Sequence, residues 1–439
     1  MTRAHTRFTP NAVGVAVTSV ALALGVIGAA TAKDRLDWIE FHADDKPHVT
    51  RELSKGLSVG VAAELTAQRS QNLDLDLADD EDEDEVKIEV DLGLLYDDGD
   101  TVRSYLEFNL STERLGRGEE NARDAILDVE EAYITFRSQD RNQALTFGRW
   151  SVSDEREWLL DEELDGVHFF RRGERFAFEL MYAREQILKK DLLDDHDNDE
   201  PDNFYARAHA NLPGDAVGSL YGLYQMGRDR NNADLLWLGT SLFGSTDNDI
   251  EYWAELAHVR GSERNRSVRG YGFDVGLTKT FKAMRANPRL TAGFAFGSGD
   301  DGSGRDGAFR QTGLEGNSVR FGGKTSVKYY GEVFDPELSN LGIVTLGLGF
   351  DLFKESSVDF VYHYNFQHKK SRRLRDSALE QRPTGDSRDL GHELDLIVGL
   401  REFEAVDINL YGGVFLPGDA FSGTKDTAGI FGIEISTKF

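Results

Sequence analysis

Val86-Lys87-Ile88-Glu89-Val90-Asp91-Leu92-Gly93-Leu94 alternates apolar and polar side chains without a break. Successive side chains of a strand point to opposite faces. As a strand, this stretch therefore carries Val86, Ile88, Val90, Leu92 and Leu94 on one side and Lys87, Glu89, Asp91 and Gly93 on the other. A turn-forming run, Asp97-Asp98-Gly99-Asp100, follows. The alternation then resumes, with Val102, Leu106, Phe108 and Leu110 against Arg103, Tyr105, Glu107 and Asn109. The same period recurs at Phe176–Tyr182, Val358–Phe366, Leu390–Leu400 and Val406–Val414. Strict period two over about ten residues outruns the ordinary globular strand of ~5–6 residues and has the length that crosses a bilayer as a tilted strand. A soluble β-sandwich or β-helix also alternates, but rarely at this length and so often.

The connections point the same way. Short turns at Asp97–Asp100, Arg172–Glu174, Lys354–Ser356 and Glu402–Ala405 suit a periplasmic side. Long polar connections at Arg69–Glu85, Glu185–Asn203, Ser298–Gly323 and His368–Arg388 suit the outside. Pro47, Pro201, Pro213, Pro288, Pro336, Pro383 and Pro417 fall in loops or at strand ends, where a missing N–H costs no ladder bond. Tyr96, Tyr105, Tyr271, Tyr329, Tyr330 and Phe415 are expected near strand ends as interfacial girdles. At the C-terminus Phe431, Ile433, Ile435, Thr437 and Phe439 share a face, a pattern like the signal that delivers barrels to the outer-membrane assembly machinery.

Composition bounds the rest. Arg3 and Arg7, the apolar run Ala12–Ala30 and the site Ala30-Thr31-Ala32 read as a signal peptide over 1–32. An N-terminal periplasmic segment is expected over 33–55, as a tail or a small plug, with the barrel over 56–439. No later stretch is apolar enough for a membrane helix. The formal charge of −28 excludes nucleic acid, which needs a basic footprint. A mean hydropathy of −0.46 looks soluble, yet a barrel with polar lumen and loops has the same balance. The fold class is thus all-β, a transmembrane antiparallel barrel with short periplasmic turns and long extracellular loops.

Several stretches resemble the alginate-export family of outer-membrane proteins. They are Phe309-Arg310-Gln311-Thr312-Gly313-Leu314-Glu315, Gly331-Glu332-Val333-Phe334, Glu337-Leu338-Ser339-Asn340-Leu341, Glu393-Leu394-Asp395-Leu396 and Gly412–Phe421, with weaker echoes at Phe147-Gly148-Arg149 and Gly272–Leu277. The resemblance implies a monomeric barrel of roughly 18 strands and passage of an anionic exopolysaccharide. It also implies basic residues at a constriction, where this chain places Gly60, Gly93, Glu130, Ser151, Ser326, Asp335 and Asn409, none of them basic. The family's long periplasmic insertion is replaced here by the tight turn Glu402–Ala405.

The candidate pore-lining or substrate residues are Arg149, Glu332, Glu393 and Asp395, which sit inside family motifs, and Arg103, Glu107, Asp274 and Lys328, with Lys87, Glu89 and Asp91 also on polar faces. Charges of both signs across a lumen select permeants, although salt bridges bracing the wall use the same residue types. The acidic runs Leu73–Glu85 and Asp191–Asp202 read as solvated loops, or as cation sites bridging lipopolysaccharide. The leading expectation is a channel passing an oligosaccharide, polysaccharide or small polar solute by diffusion. A general porin with weak cation preference is the alternative, and a rim enzyme or a lipopolysaccharide-anchored adhesin are other classes. No nucleophile or metal motif appears, and no cofactor is expected. Expected partners are outer-membrane lipids, lipopolysaccharide, the assembly machinery and the solute.

Overall fold

The computed structural model describes residues 51–76, 82–117, 120–193, 200–228, 233–302, 304–421 and 426–439, without the side chains of 117 and 120–124. The expected signal peptide, the segment 33–50 and the middle of both acidic runs lie outside the described residues.

The chain forms strands β1 (Arg51–Ser54), β2 (Leu57–Gln71), β3 (Glu83–Asp97), β4 (Val102–Arg117), β5 (Glu120–Arg137), β6 (Gln143–Ser153) and β7 (Asp161–Arg172). Next come β8 (Phe176–Arg184), β9 (Asp202–Leu212), β10 (Ala216–Met226), β11 (Asp234–Thr246), β12 (Ile250–Glu263), β13 (Arg266–Thr280) and β14 (Arg289–Gly297). After two short strands, β15 (Ser318–Val319) and β16 (Val327–Lys328), the wall resumes. It continues with β17 (Leu341–Leu352), β18 (Ser356–Gln367), β19 (Asp389–Phe403), β20 (Val406–Pro417) and β21 (Ala428–Lys438). Wall neighbours pair antiparallel, and β21 returns to β2 through Ala62↔Lys438 to Gln71↔Gly429, which closes the ring. Closure leaves no edge strand unpaired, the condition for a sheet inside a bilayer. The 18-strand barrel is extended by β1, which pairs with the start of β2 below the end of β21.

The faces follow the alternation. Val86, Ile88, Val90 and Leu92 of β3, Phe178 and Leu180 of β8, Leu346 and Leu348 of β17 and Leu394 and Leu396 of β19 are exposed on the outer surface. Their intervening neighbours face the lumen. Turns at one end are short, as between Asp97 and Val102 or Phe403 and Val406; the other end carries the long connections. The connection after β2 is shorter than expected, because β2 runs to Gln71 and β3 starts at Glu83. The one after β14 is longer, reaching Asn340.

Two features depart from a regular barrel. The expected aromatic girdle is only partly there. Tyr96 and Tyr271 are exposed, but Tyr105, Tyr329, Tyr330 and Phe415 are buried in an apolar core inside the lumen. Tyr329 and Tyr330 belong to a loop that enters the barrel and Phe415 packs on Phe334 and Phe421, while Tyr105 packs on its wall neighbour Tyr133; strand-end position reports none of these contacts. Second, β5 and β6 pair only from Ala132↔Arg149 to Arg137↔Ala144. Above that point β5 carries a bulge at Glu130, and the β6–β7 hairpin leaves the wall.

Candidate functional site

The lumen is filled asymmetrically by two segments. The first is the tip of the β6–β7 hairpin, Asp154–Leu160. One Asp154 carboxylate accepts the backbone N–H groups of Arg156, Trp158, Leu159 and Leu160 at 2.7–3.2 Å, which closes the turn. That turn aims Arg156 across the barrel. Its guanidinium lies 4.3 Å from the ring centroids of both Trp253 on β12 and Tyr329, and 3.5 Å from Asp274 on β13. Asp274 also accepts from the Trp253 indole at 2.6 Å and the Tyr330 hydroxyl at 3.1 Å. Tyr330 in turn receives the Trp158 indole N–H at 2.9 Å. A buried cation between two rings and a hydrogen-bonded carboxylate is a satisfied arrangement; it joins hairpin tip, long loop and wall.

The second segment is the connection 298–340. Glu393 on β19 accepts the backbone N–H groups of Val333 at 2.6 Å and Phe334 at 3.1 Å. Gln311 donates to the Trp158 carbonyl at 2.6 Å and receives the Leu338 N–H at 2.8 Å. The Trp237 indole of β11 and the Gln225 amide of β10 reach the Arg310 and Thr312 carbonyls at 2.8 and 2.9 Å. The plug thus hangs on the wall arc from β9 to β20.

Burial within this plug raises several loop carboxylates. Glu315 is pushed up to about 7 and Glu337 to about 8, the latter despite Arg375 and with the help of Glu315. Glu157 is pushed up to about 7, by burial and then by Asp161. Each ordinarily titrates near 4.5. The folded state therefore holds protons that the unfolded chain has released between those values. Their contribution to stability is full below about pH 4.5 and lost as pH rises through 7–8. The urea midpoint of the folded protein should fall between pH 5 and 8.5, and Glu337→Gln should make that decline shallower.

On the opposite arc the lumen holds a cavity of about 340 Å³, lined by Ala62, Ala63, Glu64, Glu89, Asp91, Glu107, Glu130, Glu131, Glu163, Ser436, Thr437 and Lys438. Seven of these twelve are carboxylates and one is a lysine. Lys87 pairs with Glu89 at 2.8 Å, and Lys190 reaches Glu130 and Glu163 at 3.2 and 3.1 Å. The wall of the cavity remains acidic after these pairs are formed.

The candidate residues divide between these regions. Glu107 lies on the cavity wall, its carboxylate taking the Tyr105 hydroxyl at 2.8 Å. Arg103 pairs with Asp97 at 3.3 Å beside a short turn. Asp274 and Glu393 hold the plug. Asp395 is buried 3.4 Å from His363, and Glu332 accepts the Lys328 N–H at 2.9 Å. Lys328 donates to the Gly316 carbonyl at 2.9 Å and lies 3.5 Å from Asp335, within the plug. Arg149 continues the outward phase of Leu145 and Phe147 and binds Asp165 through two nitrogens at 2.9 and 2.8 Å. It knots the wall where β5 and β6 part. Of the positions aligned with the family's constriction, Glu130 borders the cavity and Asn409 holds Thr325 and Glu434 at 2.8 Å.

Sequence reasoning passed over Glu64, Glu131, Glu163, Arg156 and Trp158. Glu64 was readable, since it alternates with Ala63 and Leu65 in β2. Glu131 was hidden by the bulge, which shifts the period at Val129-Glu130-Glu131. A further polar chain runs Ser219–His209–Glu179, with Ser219 Oγ 3.0 Å from His209 Nδ1 and His209 Nε2 against Glu179. It has the composition of a hydrolase triad, but Ser219 is buried, also receives Arg207, and lies away from the open cavity. It is a cross-strand ladder on the lumen face.

Comparison with known proteins places these observations. Residues 55–430 match the family described as alginate export. The chain is 30% identical over 259 residues, half of each protein, to the alginate production protein AlgE of Pseudomonas aeruginosa. It is 26% identical over 184 residues to that of Azotobacter vinelandii, which covers 36% of this chain and 37% of that one. The chain spans about half the length, or less, of the curated relatives it matches. Among solved structures, OccK5 (OpdH) of Pseudomonas aeruginosa superposes with a TM-score of 0.57 at 11% identity, covering 89% of this chain and 99% of that one. OccK7 (OpdD) of the same organism gives 0.55 at 10%, covering 87% and 99%; at such identities the likeness speaks for the fold alone. Ring closure, strand phase and a family match over most of its length agree: this chain is an outer-membrane β-barrel and belongs to the alginate export family.

Proposed function

We propose that the protein is an outer-membrane channel whose open passage is the acid-lined side of the lumen, admitting cations and neutral or cationic polar solutes, short saccharides among them, by diffusion. The observation that carries this reading is the cavity lining, with carboxylates from β2, β3, β4, β5 and β7 facing one space. A cation passing about 4 Å from one carboxylate in water gains roughly 1 kcal/mol and an anion loses as much, so the attraction alone favours the cation about fivefold over a neutral solute and by more over an anion. Low-dielectric walls focus the field further. A polyuronate carries the same sign as this wall and is repelled by it, so the family's name does not carry over to the permeant. No covalent step is required.

Reversal potentials across planar bilayers in a potassium chloride gradient test the reading. The expected sign is that of potassium preference, with a permeability ratio of roughly five or more. Changing Glu64, Glu89 and Glu107 to glutamine and Asp91 to asparagine should bring the ratio towards one. Added cationic amino-sugar oligomers should block the current and oligouronates should not. Chloride preference with block by oligouronates would overturn the proposal in favour of polyuronate export.

A further inference from the structure

The gap left by the departing β6–β7 hairpin is closed by a piece of another loop. Lys190 and Leu192 bond to β5 through Val129 N–H to the Lys190 carbonyl at 3.1 Å and Leu192 N–H to the Leu127 carbonyl at 2.8 Å. Asp128 and Asp191 face each other in an isolated antiparallel bridge. On its other side the segment has side-chain fastenings. Asp165 accepts the N–H groups of Ile187 and Leu188 at 2.7 and 2.8 Å, and Arg149 donates to the Leu188 and Val129 carbonyls at 2.6 and 2.8 Å. The Ser151 N–H, freed from the ladder, is taken by the Glu131 carboxylate at 2.8 Å. Elsewhere neighbouring strands are stitched by continuous ladders; here a strap of six residues, Ile187–Leu192, is held largely by caps.

The strap carries both apolar and charged side chains. Leu188 is 67% exposed and Leu193 61%, with Ile187 and Leu192 also exposed. Among them Lys190 is latched to Glu130 and Glu163, both of which line the acidic cavity. The same cavity is bordered by Ser436–Lys438 at the periplasmic end of β21. We infer that the strap Ile187–Leu192 is a lateral gate, joining the acidic lumen to the outer leaflet when it swings away. The permeant it fits is an amphiphile with a cationic headgroup, the head matched by the carboxylates within and the chain by the lipid outside. The inference rests on the reading of the acidic cavity as the open passage.

The chain has no cysteine, so single thiols can be introduced cleanly. Ala62→Cys places one on the cavity wall, and Asp128→Cys with Asp191→Cys allows the strap to be locked by a disulfide. Antiparallel partners stand about 4.5–5.5 Å apart at Cα, within the disulfide range of roughly 4.4–6.8 Å. In liposomes, the thiol at position 62 is titrated with a water-soluble cationic thiol reagent and with a long-chain alkylammonium thiol reagent dissolved in the membrane. The expected result is that locking slows the membrane-borne reaction by at least about tenfold, by depopulating the open state, and leaves the water-borne reaction unchanged. Lys190→Ala, which removes the latch without a new cross-link, should speed the membrane-borne reaction. Equal membrane-borne rates in free, locked and unlatched proteins would overturn the gate and leave the channel reading standing. Failure of both reagents to reach position 62 would overturn both.

Discussion

Glu393→Ala should release the long loop from the wall, lowering the stability of the folded protein and raising its conductance. The carboxylate is fully buried and accepts two backbone N–H groups, from Val333 and Phe334. Removing it strands both donors in a dry interior, at about 1–3 kcal/mol each. Glu393→Gln should fall between the wild type and alanine, since one amide oxygen replaces two carboxylate oxygens. Gly331→Ala reaches the same contact from the other partner. At φ +115° a Cβ there would lie 2.5 Å from the Glu393 Oε2 atom, so the loop must move although the acid is intact. The two readouts are the temperature at which the compact band of unheated samples is lost on gels, and single-channel conductance. Unchanged conductance in both Glu393→Ala and Gly331→Ala would mean that the loop does not limit the passage.

The wall was legible from its period because each strand answers to two solvents at once, lipid outside and the lumen within. Val86 to Leu94 shows this directly: the apolar residues are exposed outward and the charged ones turn inward. The lumen was legible only where charged side chains line it. Glu89, Asp91 and Glu107, on the polar face of their alternating strands, border the cavity. Where the lumen is dry, inward positions carry Trp150, Trp237, Trp253 and Phe415, and alternation of apolar with apolar carries no sign of direction. Tyr329 and Tyr330 were misplaced because they belong to the loop that enters the lumen and not to a wall strand, and Arg149 because its motif was taken as a mark of the lumen when its register, two residues after Phe147, turns it outward. The seating of the hairpin tip and the entry of 298–340 depend on contacts between residues more than a hundred positions apart, as with Trp158 and Tyr330. Such pairings leave no local period.

These placements change what the family match implies. The motifs shared with the family, Phe309–Glu315, Gly331–Phe334 and Glu393–Leu396, build the plug and its attachment to β19. They preserve a scaffold on one arc of the barrel. The carboxylates that line the cavity come from β2 to β7, outside those motifs, so on the proposed function fold membership and permeant choice are encoded in different parts of the wall. A chain can keep the first and alter the second by changing inward residues that no packing contact restrains.

The largest loss of stability is expected from Arg156→Met. Arg156 is 4% exposed, stands between the Trp253 and Tyr329 rings and faces Asp274. Methionine keeps much of the length and fills part of the slot between the rings, so packing is not what the substitution removes. What it removes is the only cation shown within 4.0 Å of Asp274 among the described residues, leaving a buried carboxylate held by hydrogen bonds alone. Breaking one member of such a pair costs roughly 3–5 kcal/mol. The double variant Arg156→Met with Asp274→Asn should recover most of that loss, since the amide oxygen still accepts from the Trp253 indole and no buried charge is left over. Urea unfolding of the single and double variants, at a pH where Asp274 is ionised in the unfolded chain, separates the charge from the packing. If the double variant is no more stable than Arg156→Met, the stacking on Trp253 and Tyr329 carries the hairpin tip. In that case the ion pair with Asp274 contributes little to keeping the β6–β7 hairpin inside the lumen.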